Sequence, residues 1–169
     1  MKSHALYELN GAIDDDQLRN LLCFVQNDLP NKCQLLEVRI CSSGGSVSLG
    51  LAIAELLMQL PVRVRTVNLS RVDSSAVVVY AAGDERLCYA SSGFFVHEVG
   101  KECNGTKTLR DLRQMIREIK FDTERVVSFL GKRTGVSPLV WRKLMGGGTV
   151  LSAMQAKELA LVTKIIDNA

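Results

Sequence analysis

Histidine is scarce in this chain. Only His4 and His97 occur among 169 residues, which limits imidazole acid–base chemistry near neutral pH to two positions. Five cysteines (Cys23, Cys33, Cys41, Cys88 and Cys103) form no CxxC pair and show no metal-site spacing. They read as free thiols of a reducing cytoplasm, and no metal or other cofactor is expected. Neither a P-loop nor a GxGxxG stretch is present, so nucleotide binding has no support. Lys+Arg exceed Asp+Glu by 21 to 18, a net charge of +3 with no basic run, which argues against nucleic acid as a partner. The longest uninterrupted apolar stretch, Ala76 to Ala82, is far too short to span a membrane. The opening MKSHALYELNG lacks the apolar core of a secretory signal, so no membrane contact and a cytoplasmic location are expected.

What remains is an ordinary globular composition, 47% hydrophobic and 23% charged. The length suits one compact domain over 1–169, long enough to bury a sizeable core. Strand-like and helix-like stretches alternate. Ala5–Leu9 reads as a short strand, Gly11 as a turn, and Asp14 as the cap of a helix carrying Leu18, Leu21, Leu22, Val25 and Leu29 up to Pro30. Leu35–Cys41 is a strand candidate, Val47–Leu60 a buried helix stopped by Pro61, and Val62–Leu69 another strand. AVVVYAAG is strand or buried helix, since periodicity cannot separate the two in so short a run. Arg86–Ala90 and Phe94–Val96 read as strands. From Lys107 to Arg133, Leu109, Leu112, Ile116, Ile119, Val126 and Leu130 recur at helical spacing, with Gly135 placed to end that helix. Ser137-Pro138 opens another helix, Gly146–Gly148 reads as a flexible turn, Ser152 with Gln155 as a capping box, and Leu161–Ile166 as a closing strand. The alternation predicts an α/β fold.

Three short stretches carry chemistry. In NLSRVDSSAVVVYAAG (68–83) a charged, hydroxylated knot interrupts an apolar segment, as either a helix cap or a nucleophile on a strand-to-helix turn. In ICSSGGSV (40–47) the pair Gly44-Gly45 leaves backbone N–H groups exposed between a strand and a helix, suited either to a tight turn or to an oxyanion. In FFVHEVG (94–100) His97 follows a strand. His4 lies near the N-terminus, which leaves His97 as the usable base.

Together these pieces resemble the proteolytic subunit of the Clp protease, a cytoplasmic serine peptidase, from Leu6 to Ile166. ICSSGGSV is similar to that family's glycine segment, SSAVVVYAAG to its nucleophile segment, FFVHEVG to its histidine segment and TVLSAMQAKELALVTKIID to its C-terminal segment. The resemblance implies repeated ββα units of the ClpP/crotonase spiral, with a protruding helix-strand handle at about 98–134. It implies Ser74 as nucleophile, His97 as base, and the backbone N–H groups of Gly45 and Ser75 as the oxyanion hole. A peptide or unfolded protein would lie extended between Gly44, Ser46 and Val47 on one side and Glu98 and Val99 on the other. Self-association in stacked homo-oligomeric rings follows, with an AAA+ unfoldase or a paralogue of the same family as further partners. Asp73 is placed to cap the helix that Ser74 opens.

The match breaks where the family carries its triad aspartate: that position is Gly148, and no carboxylate lies between Trp141 and Glu158. Ser43 replaces a proline, Arg71 and Asp73 replace small residues, and the chain is expected to lack the axial-loop segment that contacts the ATPase. Asp73, Asp84 or a neighbouring subunit is then the expected source of a replacement acid. Three readings follow: an active endopeptidase using a Ser–His pair, a catalytically weak or inactive paralogue serving as a structural ring subunit, and an acyl-CoA enzyme of the crotonase fold.

Overall fold

Burial alternates along the strands of this protein, whose computed structural model describes residues 3–167. Strand β1 spans Ser3–Ile13, β2 Cys33–Gly45, β3 Arg63–Asp73, β4 Glu85–Tyr89 and β7 Lys164–Ile166. They form a parallel sheet in the order β1-β2-β3-β4-β7. On β2 the inward Leu36, Val38 and Ile40 are fully buried. The opposite face carries a row of charges in register, Glu37, Arg65 and Glu85, with Arg65 2.8 Å from Glu85 and 3.5 Å from Glu37. A parallel sheet is usually covered on both faces; here the helices cover the apolar face and ion pairs dress the other.

Strand β3 forks. Arg65–Asn68 pair with β4, while Arg71–Asp73 pair with β5 (Gly93–Val96). Strand β5 then runs antiparallel to β6 (Thr149–Ser152). Fully buried Asn68 holds the fork: its amide donates to the Gly93 carbonyl at 2.9 Å, and its side-chain oxygen accepts from the Ser70 N–H at 3.0 Å. The Ser92 hydroxyl donates to the Asn68 carbonyl at 3.0 Å. These bonds satisfy the groups left unpaired where the strand changes partners.

Helices α1 (Asp15–Cys23), α2 (Val47–Gln59), α3 (Ser75–Ala81), α4 (Leu109–Thr134), α5 (Pro138–Gly146) and α6 (Ala153–Glu158) complete the chain, with a π-helical turn over Phe24–Asp28. Asp14 caps α1, Ser152 and Gln155 form the capping box of α6, and Gly135 ends α4 with φ 74°. AVVVYA is helix, every residue of α3 being buried among β2, β3, α2 and α4. Gly11 makes no turn: it sits inside β1 with φ 84°, where a register shift marks a bulge. The polar knot is the strand-to-helix turn: Arg71–Asp73 end β3, Ser74 turns the chain and Ser75 opens α3, while Thr149–Ser152, beyond the glycine turn, pair with β5.

Helix α4 has 26 residues, about 39 Å at the usual rise. Its second half buries Val126, Val127, Phe129 and Leu130, but Leu109, Leu112 and Ile116 are exposed, so the first half projects from the body. Residues 97–108 leading into it form neither strand nor helix. A strand needs a ladder partner, and among the described residues nothing pairs with this segment, so the handle here is a helix without its strand.

Two arginines clamp the C-terminal end of α3. Arg133 donates to the carbonyls of Ala81, Ala82 and Gly83 at 2.8, 3.2 and 2.9 Å. Arg86, 8% exposed, donates to Gly83, Leu161 and Ala160 at 2.9, 2.8 and 3.0 Å. Burial, and then the charge of Arg133, presses the Arg86 pKa below its ordinary value. Replacing Arg86 with leucine removes the donors to Leu161 and Ala160, each costing about 1–3 kcal/mol when orphaned. Arg86→Leu is expected to lower unfolding free energy in urea by about 3 kcal/mol; a loss below about 1 kcal/mol would mean that water substitutes for the guanidinium.

Candidate active site

The turn from β3 into α3 places Ser74 at φ 54°, ψ −128°, outside the regions open to most L-residues. Holding a serine there costs roughly 1–3 kcal/mol. The strain is imposed from both sides: the Ser74 N–H donates to the Phe95 carbonyl at 2.7 Å, and its carbonyl accepts from Val77 as α3 begins. The Ser74 side chain makes no capping bond, so its hydroxyl is free for another partner. A strained strand-to-helix turn is how a nucleophilic serine is lifted clear of a sheet. Asp73 does not cap α3, contrary to the expectation. Its carboxylate is held by Arg71 two residues back, at 2.8 Å. That ion pair also offsets the negative charge beside Ser74.

The glycine pair lies across from this turn for a steric reason. A side chain at Gly44 would put its Cβ 2.6 Å from the Ser74 Cβ and 2.7 Å from the Asp73 carbonyl oxygen. One at Gly45 would meet the Ile13 carbonyl at 2.5 Å. The buried Ser42 hydroxyl secures the loop, donating to Gly11 O at 2.6 Å and accepting from the Gly44 N–H at 3.1 Å. Backbone thus approaches backbone without hindrance, Gly44 against the start of α3 and Gly45 against the end of β1.

His97 follows β5. Its Nδ1 lies 2.7 Å from the Glu98 carbonyl oxygen, and its ring stacks on Phe95 with centroids 5.2 Å apart and planes 24° from parallel. Gly45, Val47, Ser74, Ser75, His97, Glu98 and Val99 line one cavity of about 160 Å³. Gly44 lies behind the turn, and the Ser46 hydroxyl caps α2 by accepting from Leu49 at 3.3 Å. Among the described residues no hydrogen bond joins Ser74 to His97. The β5–β6 ladder ends at the pair Val96–Thr149, so His97 and Gly148 each lie one residue beyond it, and the position carries no carboxylate. Neither suggested substitute within the chain serves: Asp73 holds Arg71, and Asp84 accepts from the Val64 N–H at 2.9 Å at the far end of α3.

The sequence reading missed Phe95, Ser42 and the apolar wall of Val77, Val126, Leu130 and Met145. The Arg71–Asp73 pair had a signal, since residues two apart share a strand face. The wall had none, because three elements distant in sequence build it. The cavity offers no cluster of metal ligands, and none occurs among the described residues.

A family model described as Clp protease matches residues 8–169. Among solved structures, an asparagine-to-aspartate mutant of ClpP1 from Listeria monocytogenes superposes with a TM-score of 0.83 at 20% identity, covering 96% of this chain and 91% of that one. The α/β architecture described above is therefore shared with that protein. No helix among the described residues is long and apolar enough to cross a membrane.

The Ser75 hydroxyl is buried without a hydrogen-bond partner. Helix α2 seals it in, its Gly50 passing so close that a Cβ there would lie 3.2 Å from that of Ser75. An unmet buried hydroxyl costs about 1–3 kcal/mol, so Ser75→Ala is expected to raise unfolding free energy in urea by about 1 kcal/mol. A fall in stability would show that the hydroxyl has found an acceptor.

Proposed function

The chain belongs to the Clp protease family, and from that premise we propose that it is a serine endopeptidase of the cytoplasm acting on peptides or unfolded protein within an oligomeric ring. The observation that carries this reading is the strained Ser74 on the wall of the same cavity as His97, with the Gly45 loop alongside. Ser74 attacks the scissile carbonyl while His97 Nε2 takes the hydroxyl proton. The N–H groups of Gly45 and Ser75 face the oxyanion. The imidazolium then protonates the leaving amine, and water hydrolyses the acyl-enzyme by the same steps.

Among the described residues, 98–100 have no strand partner, which leaves an edge for an extended peptide to pair with. Val77, Val126, Leu130 and Met145 suit an aliphatic side chain before the cleaved bond. The exposed Leu109, Leu112 and Ile116 fit a ring-to-ring contact through α4. An AAA+ unfoldase or a family paralogue would be the further partner. The second reading, a structural ring subunit with weak or no catalysis, draws on the glycine at 148 where the family carries its triad aspartate; replacing that aspartate by asparagine in a serine protease costs about 10⁴ in rate.

A fluorophosphonate probe is expected to label the wild type and not Ser74→Ala, with peptide hydrolysis falling roughly 10³-fold or more in the variant. Equal labelling of both proteins would remove Ser74 from the chemistry. No labelling of a folded, assembled wild type would favour the structural subunit. Light scattering tests the assembly: Leu112→Asp and Ile116→Asp are each expected to reduce the particle mass while leaving circular dichroism unchanged. Wild-type mass in both would assign the contact elsewhere.

A further inference from the structure

The His97 imidazole is held by two neutral groups, the Glu98 carbonyl at Nδ1 and the Phe95 ring on its face. We propose that this carbonyl takes the place of the missing triad carboxylate, with Phe95 as the positioning residue for the ring; the inference rests on the Ser74–His97 peptidase reading.

A neutral imidazole carries one N–H, and the tautomer is set by what its nitrogens face. A carbonyl oxygen only accepts. At 2.7 Å it therefore draws the proton to Nδ1, leaving the Nε2 lone pair bare to take a proton from Ser74. The large penalty of a triad without its acid comes from the wrong tautomer, and a carbonyl avoids it. What the carbonyl lacks is charge, so it stabilises the imidazolium less than a carboxylate does. The site keeps its geometry and loses part of its driving force.

Phe95 and Gly148 complete the substitution. The Cε2 and Cζ atoms of Phe95 lie 3.9 and 4.0 Å from where a Gly148 Cβ would stand. The aromatic ring thus touches both the His97 imidazole and the space beside Gly148. The bare glycine and the stacked ring form one arrangement, in which packing replaces the carboxylate as the restraint on imidazole rotation.

The test is solid-state ¹⁵N spectroscopy of the sedimented, assembled protein labelled only at histidine, at a pH where the ring is neutral. His4→Gln assigns the two resonance sets. The expected result is His97 as the Nδ1–H tautomer; a majority of Nε2–H overturns the inference. Phe95→Leu is expected to move the ratio toward that of free imidazole and to lower kcat about tenfold at constant KM, with Phe95→Tyr restoring both. An unchanged tautomer ratio in folded Phe95→Leu removes Phe95 from the proposal. Replacing the 98–99 amide by an ester, a weaker acceptor, is expected to shift the tautomer in the same direction, and no shift would sink the role of the carbonyl. An Nδ1–H tautomer in a protein whose Ser74 takes no probe supports this inference and removes the peptidase reading. An Nε2–H tautomer in an active peptidase does the reverse.

Discussion

The side-by-side alignment of β3 with β5 is the constraint from which the candidate site follows. Three parallel pairs, Arg71 with Gly93, Val72 with Phe94 and Asp73 with Phe95, end in the Ser74 N–H donating to the Phe95 carbonyl. That last bond ties the turn carrying the serine to the strand carrying the histidine. Because successive residues of a strand face opposite ways, a slip of one position would exchange the faces. Phe95 and His97, two residues apart, would keep a common side but would turn together away from the Ser74 turn, and the cavity would lose its imidazole. Asn68 protects this register from below by holding the fork where β3 passes from one partner to the other. Its replacement by an apolar residue would leave the Gly93 carbonyl and the Ser70 N–H unmet at the point where the register is set.

The fold sustains two local costs next to each other: the left-handed backbone of Ser74 and the unpartnered hydroxyl of Ser75. Both sit at the first turn of α3, whose seven residues are all buried. Burying Val77, Val78, Val79 and Tyr80 contributes on the order of 1.5–3 kcal/mol per large side chain, enough to outweigh a strained turn. At the other end of the helix, Arg86 and Arg133 satisfy carbonyls that a buried helix terminus would leave bare. The helix is thus held at one end by hydrogen bonds and packed along its length. Its N-terminal end is left to carry the strain. The Tyr80 phenol, whose pKa is driven upward by burial, donates to the Leu87 carbonyl at 3.0 Å and adds a further tie to β4.

Local physics was legible in the sequence, and pairing between distant segments was not. Asp14, Ser152 with Gln155, and Gly135 act as expected because a cap is decided within one helical turn. Asp73 defeats the same logic, since Arg71 on the same strand face takes its carboxylate before any helix N–H can. The apolar run 76–82 was ambiguous by periodicity. It becomes a helix because Ser74 breaks the strand and the cover over β2 and β3 has to be supplied from that point. Strand β6 had no reading of its own between the glycine turn and the Ser152 cap, and only pairing with β5 makes it a strand. Gly11 resembles a turn residue in sequence, yet its positive φ serves a bulge inside a ladder. At the site, Ser74, His97 and Gly45 were named on the family resemblance, and the fold brings the three to one cavity. Phe95 read only as strand, because nothing local marks an aromatic residue as a support for the imidazole two positions on.

The projecting half of α4 and the cavity are parts of one mechanical element. Val126 and Leu130, from the buried half, wall the cavity, while Leu109, Leu112 and Ile116 lie exposed farther along the same rod. The segment 98–100, which lines the cavity and leads into that helix, has no ladder of its own and is tied to it by the Lys101–Glu118 ion pair. An exposed ion pair of this kind contributes little, about 0–1 kcal/mol, so a single chain restrains this side of the cavity weakly. Covering the apolar stripe with a second copy would bury three large side chains, a gain of several kcal/mol, and would fix the helix that anchors the segment. On this reading the carbonyl that orients His97 belongs to the part of the chain that assembly most stiffens. Any dependence of catalysis on assembly would then act through the imidazole rather than through Ser74, whose position is already set by the bond to Phe95.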